Sequence, residues 1–480
     1  MERLGLIRND IRMPIKKLPE YTPGGRNPDD SIAFIDYNDN VRIAGVNTAS
    51  RFGGAAPECP GIMLCLPNQE KADKLYLASR NVYIISKTGA LYSTGDNTRG
   101  QCFGVAGTGV ADVAKPTATI FASNCVKVAA SSDTDAYSAM VLINDGNVWA
   151  AGENQYGQIG DGTTTDTGNT GPKPTLGPGN TFGNPTTPVA DVIGHGSYNG
   201  TNFPETYCAL LTSGAVFCVG YGGLGQVGNG SSTAANSTWQ QVIRADNNAG
   251  LSNITKISAC GQDSAYSFYA LDNTGSLWSW GYNGQGQLGV GNLVNQNKAT
   301  RVTPFGNSNI VDIYPMNSLY GAIIVKQSDK SYWGCGYNAN GQLGLGDTTN
   351  RSSFVRITSL DNKDVDIVYP SGYGNAGYYI GLSRNTNRIY GTGYAGNGNL
   401  GLGNLTTPVT SFTEIPFRPE SPIIDIQPIH SAGSGIQSYT LILTADGNTY
   451  FAGQSRYCYV GKPDRNVVYF CKNTSYMLGK

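Results

Sequence analysis

A glycine preceded by a short apolar or aromatic run, and followed by a glycine-rich turn, recurs eight times along this chain. The positions are Gly45, Gly95, Gly152, Gly220, Gly281, Gly336, Gly393 and Gly453. One unit of such a repeat cannot bury an apolar face alone, so copies must stack as a solenoid, a propeller or an array. The 480 residues therefore read as copies within one architecture, not as several independent domains. Only 14% of residues are Asp, Glu, Lys or Arg, whereas Gly reaches 64 and Tyr 29. Long surface helices draw on Glu, Lys and Ala; this composition suits short strands joined by tight turns.

The unit around Gly281 reads most clearly. Ile254 to Ala259 alternates apolar and polar residues as a strand does, Ser267 to Leu271 makes a second strand, and Ser276 to Trp280 returns as a third after the Asn273-Thr274-Gly275 turn. A fourth strand is expected after the glycine loop, as at Gln240 to Ile243 or Phe354 to Ile357. Three residues before each marker glycine stand Arg42, Tyr92, Trp149, Phe217, Trp278, Trp333, Tyr390 and Tyr450. A ring column inside a strand reads as core at a seam between units, more than as a sugar-stacking platform. Glycines five and eight residues past the marker imply positive φ or close backbone approach. Gly220, Gly222 and Gly225 spell GxGxxG without a βαβ unit around them, so no nucleotide site follows.

The phrases GYNGQGQLGVG from Gly281, GYNANGQLGLGD from Gly336 and GENQYGQIGDG from Gly152 resemble the repeat of the regulator of chromosome condensation family. The likeness runs from about Ser31 to Gly461 and is weakest in the first and last units. It implies an all-β fold: a single β-propeller of seven or eight four-stranded blades, with eight units counted in this chain and seven usual for the family. The first unit shows Ile32–Asp36 and Val41–Ala44 but no evident innermost strand. Residues 1–30 read as an irregular N-terminal arm and residues 31–480 as the propeller, with a long surface insertion at 161–188. Ring closure is expected to bring the chain ends together, because an open ring leaves strand edges unpaired. The resemblance also implies a histidine opening the second strand, where this chain has Ser264. Founding members of the family act as nucleotide exchange factors for a small GTPase on chromatin; this sequence shows neither a charged tail nor an inserted hairpin for that work.

Several function classes are disfavoured. Lys and Arg total 33 against 34 Asp and Glu, which supplies no basic footprint for nucleic acid. No run of 18 apolar residues exists for membrane insertion, and the first residues lack the continuous apolar core of a secretory signal. Ten cysteines include no CxxC pair. Cys218, Cys260 and Cys335 lie in apolar strand patterns and read as buried free thiols, while pairing of Cys59 with Cys65 and of Cys458 with Cys471 is left open. Assembly in a reducing cytoplasm follows. His195 and His430 are the only histidines and lack carboxylate neighbours in sequence, and Asp133 with Asp135 is too little for a calcium cage. No catalytic residue, cofactor or metal is expected.

Surface features carry the functional expectation. Arg3, Arg8, Arg12, Lys16 and Lys17 form a basic arm broken by prolines. Tyr198 and Phe203 lie in a second insertion at 196–205, and Tyr221, Tyr282, Tyr337 and Tyr394 each follow a marker glycine. Those tyrosines either pack over a blade edge or form a repeated contact ring. Composition and apparently docked termini suggest a non-enzymatic structural subunit of a virus particle, such as a bacteriophage tail, fibre or surface component. Its arm would dock on other virion subunits and its rim loops on a host-surface ligand. The alternatives are an intracellular regulator or scaffold acting on a small GTPase, and a propeller-type enzyme inhibitor.

Overall fold

The computed structural model describes residues 15–17, 32–36, 38–46, 58–78, 81–103, 113–121, 123–130, 137–168, 173–174, 188–196, 201–202, 204–303, 305–306, 309–431, 437–454 and 467–472. These contain eight four-stranded antiparallel sheets and no α-helix. In chain order the sheets span 15–64, 72–118, 125–174, 189–241, 254–301, 310–356, 367–414 and 423–472, and are called sheets 1 to 8. Sheet 5 shows the pattern: Ile254–Gln262, Ala265–Asp272, Leu277–Gly281 and Gln296–Arg301 lie side by side in sequence order. Its inner strands are buried almost throughout, because neighbouring sheets cover both faces.

Several sequence expectations need correction. The fourth strands begin earlier than read, at Ala235–Gln241 and Arg351–Arg356, because edge strands alternate too weakly to be placed by hydrophobicity. Sheet 1 does have an innermost strand: Ile15–Lys17, inside the presumed arm, pairs with Ile32–Asp36. The insertion at 161–188 supplies the fourth strand of sheet 3, Lys173–Pro174, which pairs with Trp149 and Ala150. Cys218 is not a free thiol: it lies opposite Cys208 in register and the two are bonded. Cys65 and Cys471 are free and exposed, whereas Cys260 and Cys335 are free and buried as expected. Finally, each sheet uses four consecutive strands, so no sheet mixes the two chain ends.

Two backbone ties repeat from sheet to sheet. On one side, the first strand of a sheet donates to the hairpin of the sheet before it. The N–H of Ala72 bonds the Asp39 carbonyl, Cys125 bonds Gly89, Val189 bonds Gly146, Ile254 bonds Gly214 and Ile310 bonds Gly275. Sheet 1 is joined to sheet 2 by the same tie as the others, which makes it a unit of the series. On the other side, the loop after the third strand reaches the fourth strand of the following sheet. There Gly162 donates to Ser237, Gly230 to Asn297, Gly291 to Ser352, Gly346 to Thr410 and Gly403 to Val468.

This second tie explains the glycine columns. At Gly286, φ is +80° and an added Cβ would sit 2.5 Å from the Ser352 Cα; at Gly289, φ is +69° and a Cβ would strike the Phe354 ring. The column three residues before the marker lies at the same seams. Phe121 meets Trp149 edge-on at 5.7 Å, Phe305 meets Trp333 at 5.3 Å and Phe417 meets Tyr450 at 4.8 Å. The Arg244 guanidinium lies 4.8 Å from Trp278 and the Lys363 ammonium 4.9 Å from Tyr390. In each case the first partner comes from the link leaving the preceding sheet. The apolar clusters likewise straddle pairs of sheets: Cys208, Val216 and Val227 pack with Phe268, Trp278 and Trp280. Burial of a ring such as Trp280 stabilises the seam by roughly 1.5–3 kcal/mol.

Candidate protein-binding face

Antiparallel succession sorts the connections onto two faces. Links from first to second strand and from third to fourth strand emerge on one face; hairpins from second to third strand and sheet-to-sheet links emerge on the other. The two faces differ in chemistry. Over sheets 4 to 7, the first face is built from residues 222–234, 263–264, 282–295, 317–321, 337–350, 374–375 and 394–408, in which Asp263 and Asp347 are the charged side chains. Asp347 is itself neutralised by Arg351 at 2.5 Å. The opposite face carries ion pairs such as Lys256–Asp312, Lys330–Asp364 and Arg356–Asp361.

Tyr221, Tyr282, Tyr337 and Tyr394 all belong to the neutral face. A methyl group at Gly223, Gly284 or Gly396 would lie within 2.5 Å of the hydroxyl of Tyr221, Tyr282 or Tyr394 respectively, so each ring lies over the glycine two residues on. The small residue leaves room for the ring, and the ring remains half-buried. Tyr337 is more deeply set, with 9% exposure. Sequence reading missed two companions. Tyr156 meets Tyr221 edge-on at 5.0 Å, and Tyr320 lies against Tyr337 at 4.9 Å. Tyr156 sits in the same glycine loop one sheet earlier, so its repeat position was the available signal; Tyr320 sits in a first-to-second-strand turn that has no repeat signature. Burial raises the phenol pKa of Tyr221, Tyr282, Tyr337 and Tyr394, with a neighbouring tyrosine adding to it in the first three. The hydroxyls are therefore neutral donors and acceptors at ordinary pH.

The face is knitted across sheets. Gly374 of sheet 7 donates to Gln262 Oε1 of sheet 5 at 3.2 Å and accepts from the Leu319 N–H of sheet 6 at 3.0 Å. Asn350 reaches Gln285 of the preceding sheet at 2.7 Å. Polar turns thus converge as one platform rather than as independent loops. At its sheet 3 to sheet 4 edge, Glu205 is fully buried and accepts from the Tyr137 N–H at 3.2 Å and from the Ser138 hydroxyl. Burial pushes its carboxyl up to about 8, so it is protonated near neutrality.

The other anticipated residues scatter. Lys16 is exposed and paired with Asp39 at 2.6 Å. Lys17 belongs to the same short strand. Arg3, Arg8, Arg12, Tyr198 and Phe203 lie outside the described residues, as do Asp133 and Asp135. His195 is buried near a strand end, with Nε2 3.0 Å from the Gly261 carbonyl and its ring edge-on to Tyr266. Among the described residues, no three His, Cys, Asp or Glu side chains are grouped to hold a metal ion, and no helix is long and apolar enough to cross a membrane.

Serial four-stranded antiparallel sheets tied at both faces define a β-propeller. It is similar to propellers of the regulator of chromosome condensation (RCC1) type: that repeat matches residues 274–314, which run from the sheet 5 hairpin into sheet 6. The chain is 26% identical over 324 residues to the ultraviolet-B receptor UVR8 of Arabidopsis thaliana, covering 67% of this chain and 64% of the receptor. It is 26% identical over 193 residues to the human E3 ubiquitin-protein ligase HERC2, covering 40% of this chain and 4% of the ligase. Human WBSCR16 superposes with a TM-score of 0.54 at 17% identity, covering 81% of this chain and 97% of that structure. Yeast RCC1 (Prp20), solved bound to Kap60, gives 0.53 at 16% identity, covering 89% and 94%.

Proposed function

We propose that this chain is a non-enzymatic protein-binding scaffold whose neutral, tyrosine-bearing face docks a partner protein. One observation carries the reading: charge is swept from one face of sheets 4 to 7 while half-buried tyrosines and amides are held there on a rigid base. Recognition surfaces are depleted in Lys, Glu and Asp and enriched in Tyr, because such rings offer area at low entropic cost. The relatives agree with the class. One is a receptor, and Prp20 is described in one solved structure with Kap60 and in another by its binding to Gsp1p and histones. A structural subunit of a virus particle, the reading drawn from composition, is a narrower case of the same protein-binding scaffold. The regulator-type alternative shares the same docking face and differs only in its consequence, which nucleotide release from candidate GTPases measures.

The test compares affinity isolation by the native chain with two variants. One replaces Tyr221, Tyr282 and Tyr394 by Glu; the other reverses Lys256, Lys330 and Arg356 on the opposite face. The reading expects the tyrosine variant to lose the partners identified by mass spectrometry and the charge variant to keep them. Loss from the charge variant alone would overturn it.

A further inference from the structure

A glutamine six residues past the marker glycine recurs at Gln101, whose Nε2 bonds Asp96 of its own loop at 3.1 Å, and in the four consecutive sheets 3 to 6 at Gln158, Gln226, Gln287 and Gln342. All four side chains are fully buried. In every copy Oε1 accepts the backbone N–H two residues earlier, from Tyr156, Leu224, Gln285 and Asn340 at 2.8–3.0 Å. That bond settles the amide orientation, since a flipped side chain would set two donors against each other. Nε2 is thereby aimed at the next sheet. In sheet 4 it finds a partner: Gln226 donates to the Ser264 carbonyl, in the first turn of sheet 5, at 2.8 Å. In sheets 3, 5 and 6 the same atom of Gln158, Gln287 and Gln342 is buried and unpaired among the described residues.

The turn facing Gln287 carries complementary orphans. Gln287 lies against Gly321, whose added Cβ would be 3.5 Å from its Cγ. In that same turn, Asn317 Oδ1 and Ser318 Oγ are buried without partners among the described residues. A buried polar group left without a partner loses its hydration with nothing in return. A repeated donor that meets a carbonyl at one seam, and orphan acceptors across another, marks a place for a bridging molecule that both donates and accepts.

We propose that a structural water occupies each of the three seams, accepting from Nε2 of Gln158, Gln287 or Gln342 and, at the latter two, passing the bond to the turn of the next sheet. At the sheet 5 to sheet 6 seam the acceptors are Asn317 Oδ1 and Ser318 Oγ. Water has the size and the two-way hydrogen bonding these polar seams need, and sites with several polar partners hold it in order. The seam of Gln226, closed by a direct bond, holds none at that atom. The platform beneath the tyrosines is then floored by ordered water at defined repeat positions, whatever partner the face binds.

A high-resolution crystal structure of the native chain, with that of Gln287→Leu, tests this. The expected result is a solvent peak within hydrogen-bonding distance of all three Nε2 atoms and none at Gln226, with the peak at residue 287 alone lost in the variant. Direct protein contacts at the three amides, or dry seams, would overturn the proposal. The native crystal decides the matter even if the variant does not fold.

Discussion

Glu205 shows how much one side chain can couple a seam to pH. Its carboxyl is held protonated by burial, with a pKa raised from 4.5 to about 8. The unfolded chain releases that proton near 4.5, so the folded state binds one more proton between these values. Stability therefore falls as pH rises from about 4.5 to about 8 and levels above that. Replacing Glu205 by Gln keeps the acceptor for Ser138 and Tyr137 and removes the penalty. The variant should gain on the order of 2–4 kcal/mol over the native chain between pH 5 and pH 8, seen in denaturant midpoints across that range. A constant difference would show that the folded and unfolded chains hold the Glu205 proton equally tightly. Gly286 makes the opposite point. Gly286→Ala forces a Cβ to 2.5 Å from the Ser352 Cα at φ +80°, and should cost about 2–4 kcal/mol in thermal or denaturant unfolding. Gly162→Ala, whose Cβ meets nothing within 4 Å but whose φ is +86°, should cost only the backbone term of about 1–2 kcal/mol.

At the scale of strands, legibility followed periodicity. The second and third strands of sheets 2 to 5 and of sheet 8 announce themselves by apolar runs around a Gly-bearing turn, and the loop glycines mark the crossing to the next sheet. Ile15–Lys17 was invisible because three residues between prolines show no period; it is a strand only because Ile32–Asp36 offers it an edge. Lys173–Pro174 was hidden in a low-complexity insertion for the same reason. The Cys208–Cys218 bond was readable in principle, since the two are ten residues apart and symmetric about Ser213 of the hairpin turn. The apolar pattern drew attention to burial instead. Truncation separates arm from sheet: removing residues 1–12 should leave the melting profile unchanged, whereas removing 1–27 takes away the innermost strand of sheet 1. The longer deletion should expose the edge of Ile32–Asp36 and speed hydrogen exchange at residues 32–46. Equal effects of both deletions would show that Ile15–Lys17 contributes nothing to the sheet.

For the whole molecule, the sequence carried the architecture further than the binding face. Four of the tyrosines were recognisable from their place after a marker glycine, but neither Tyr320 nor the contrast between faces was, because that contrast exists only once alternate connections are sorted to opposite sides. Neutral loops and charged links are interleaved along the chain and separate only in space. The most direct measurement is hydrogen–deuterium exchange on the chain with and without its captured partner. Protection confined to the neutral face, at residues 221–234, 282–295, 317–321, 337–350 and 394–408, is the predicted result. Protection instead at the hairpins and links around Lys256, Asp312, Lys330 and Asp364 would contradict the account.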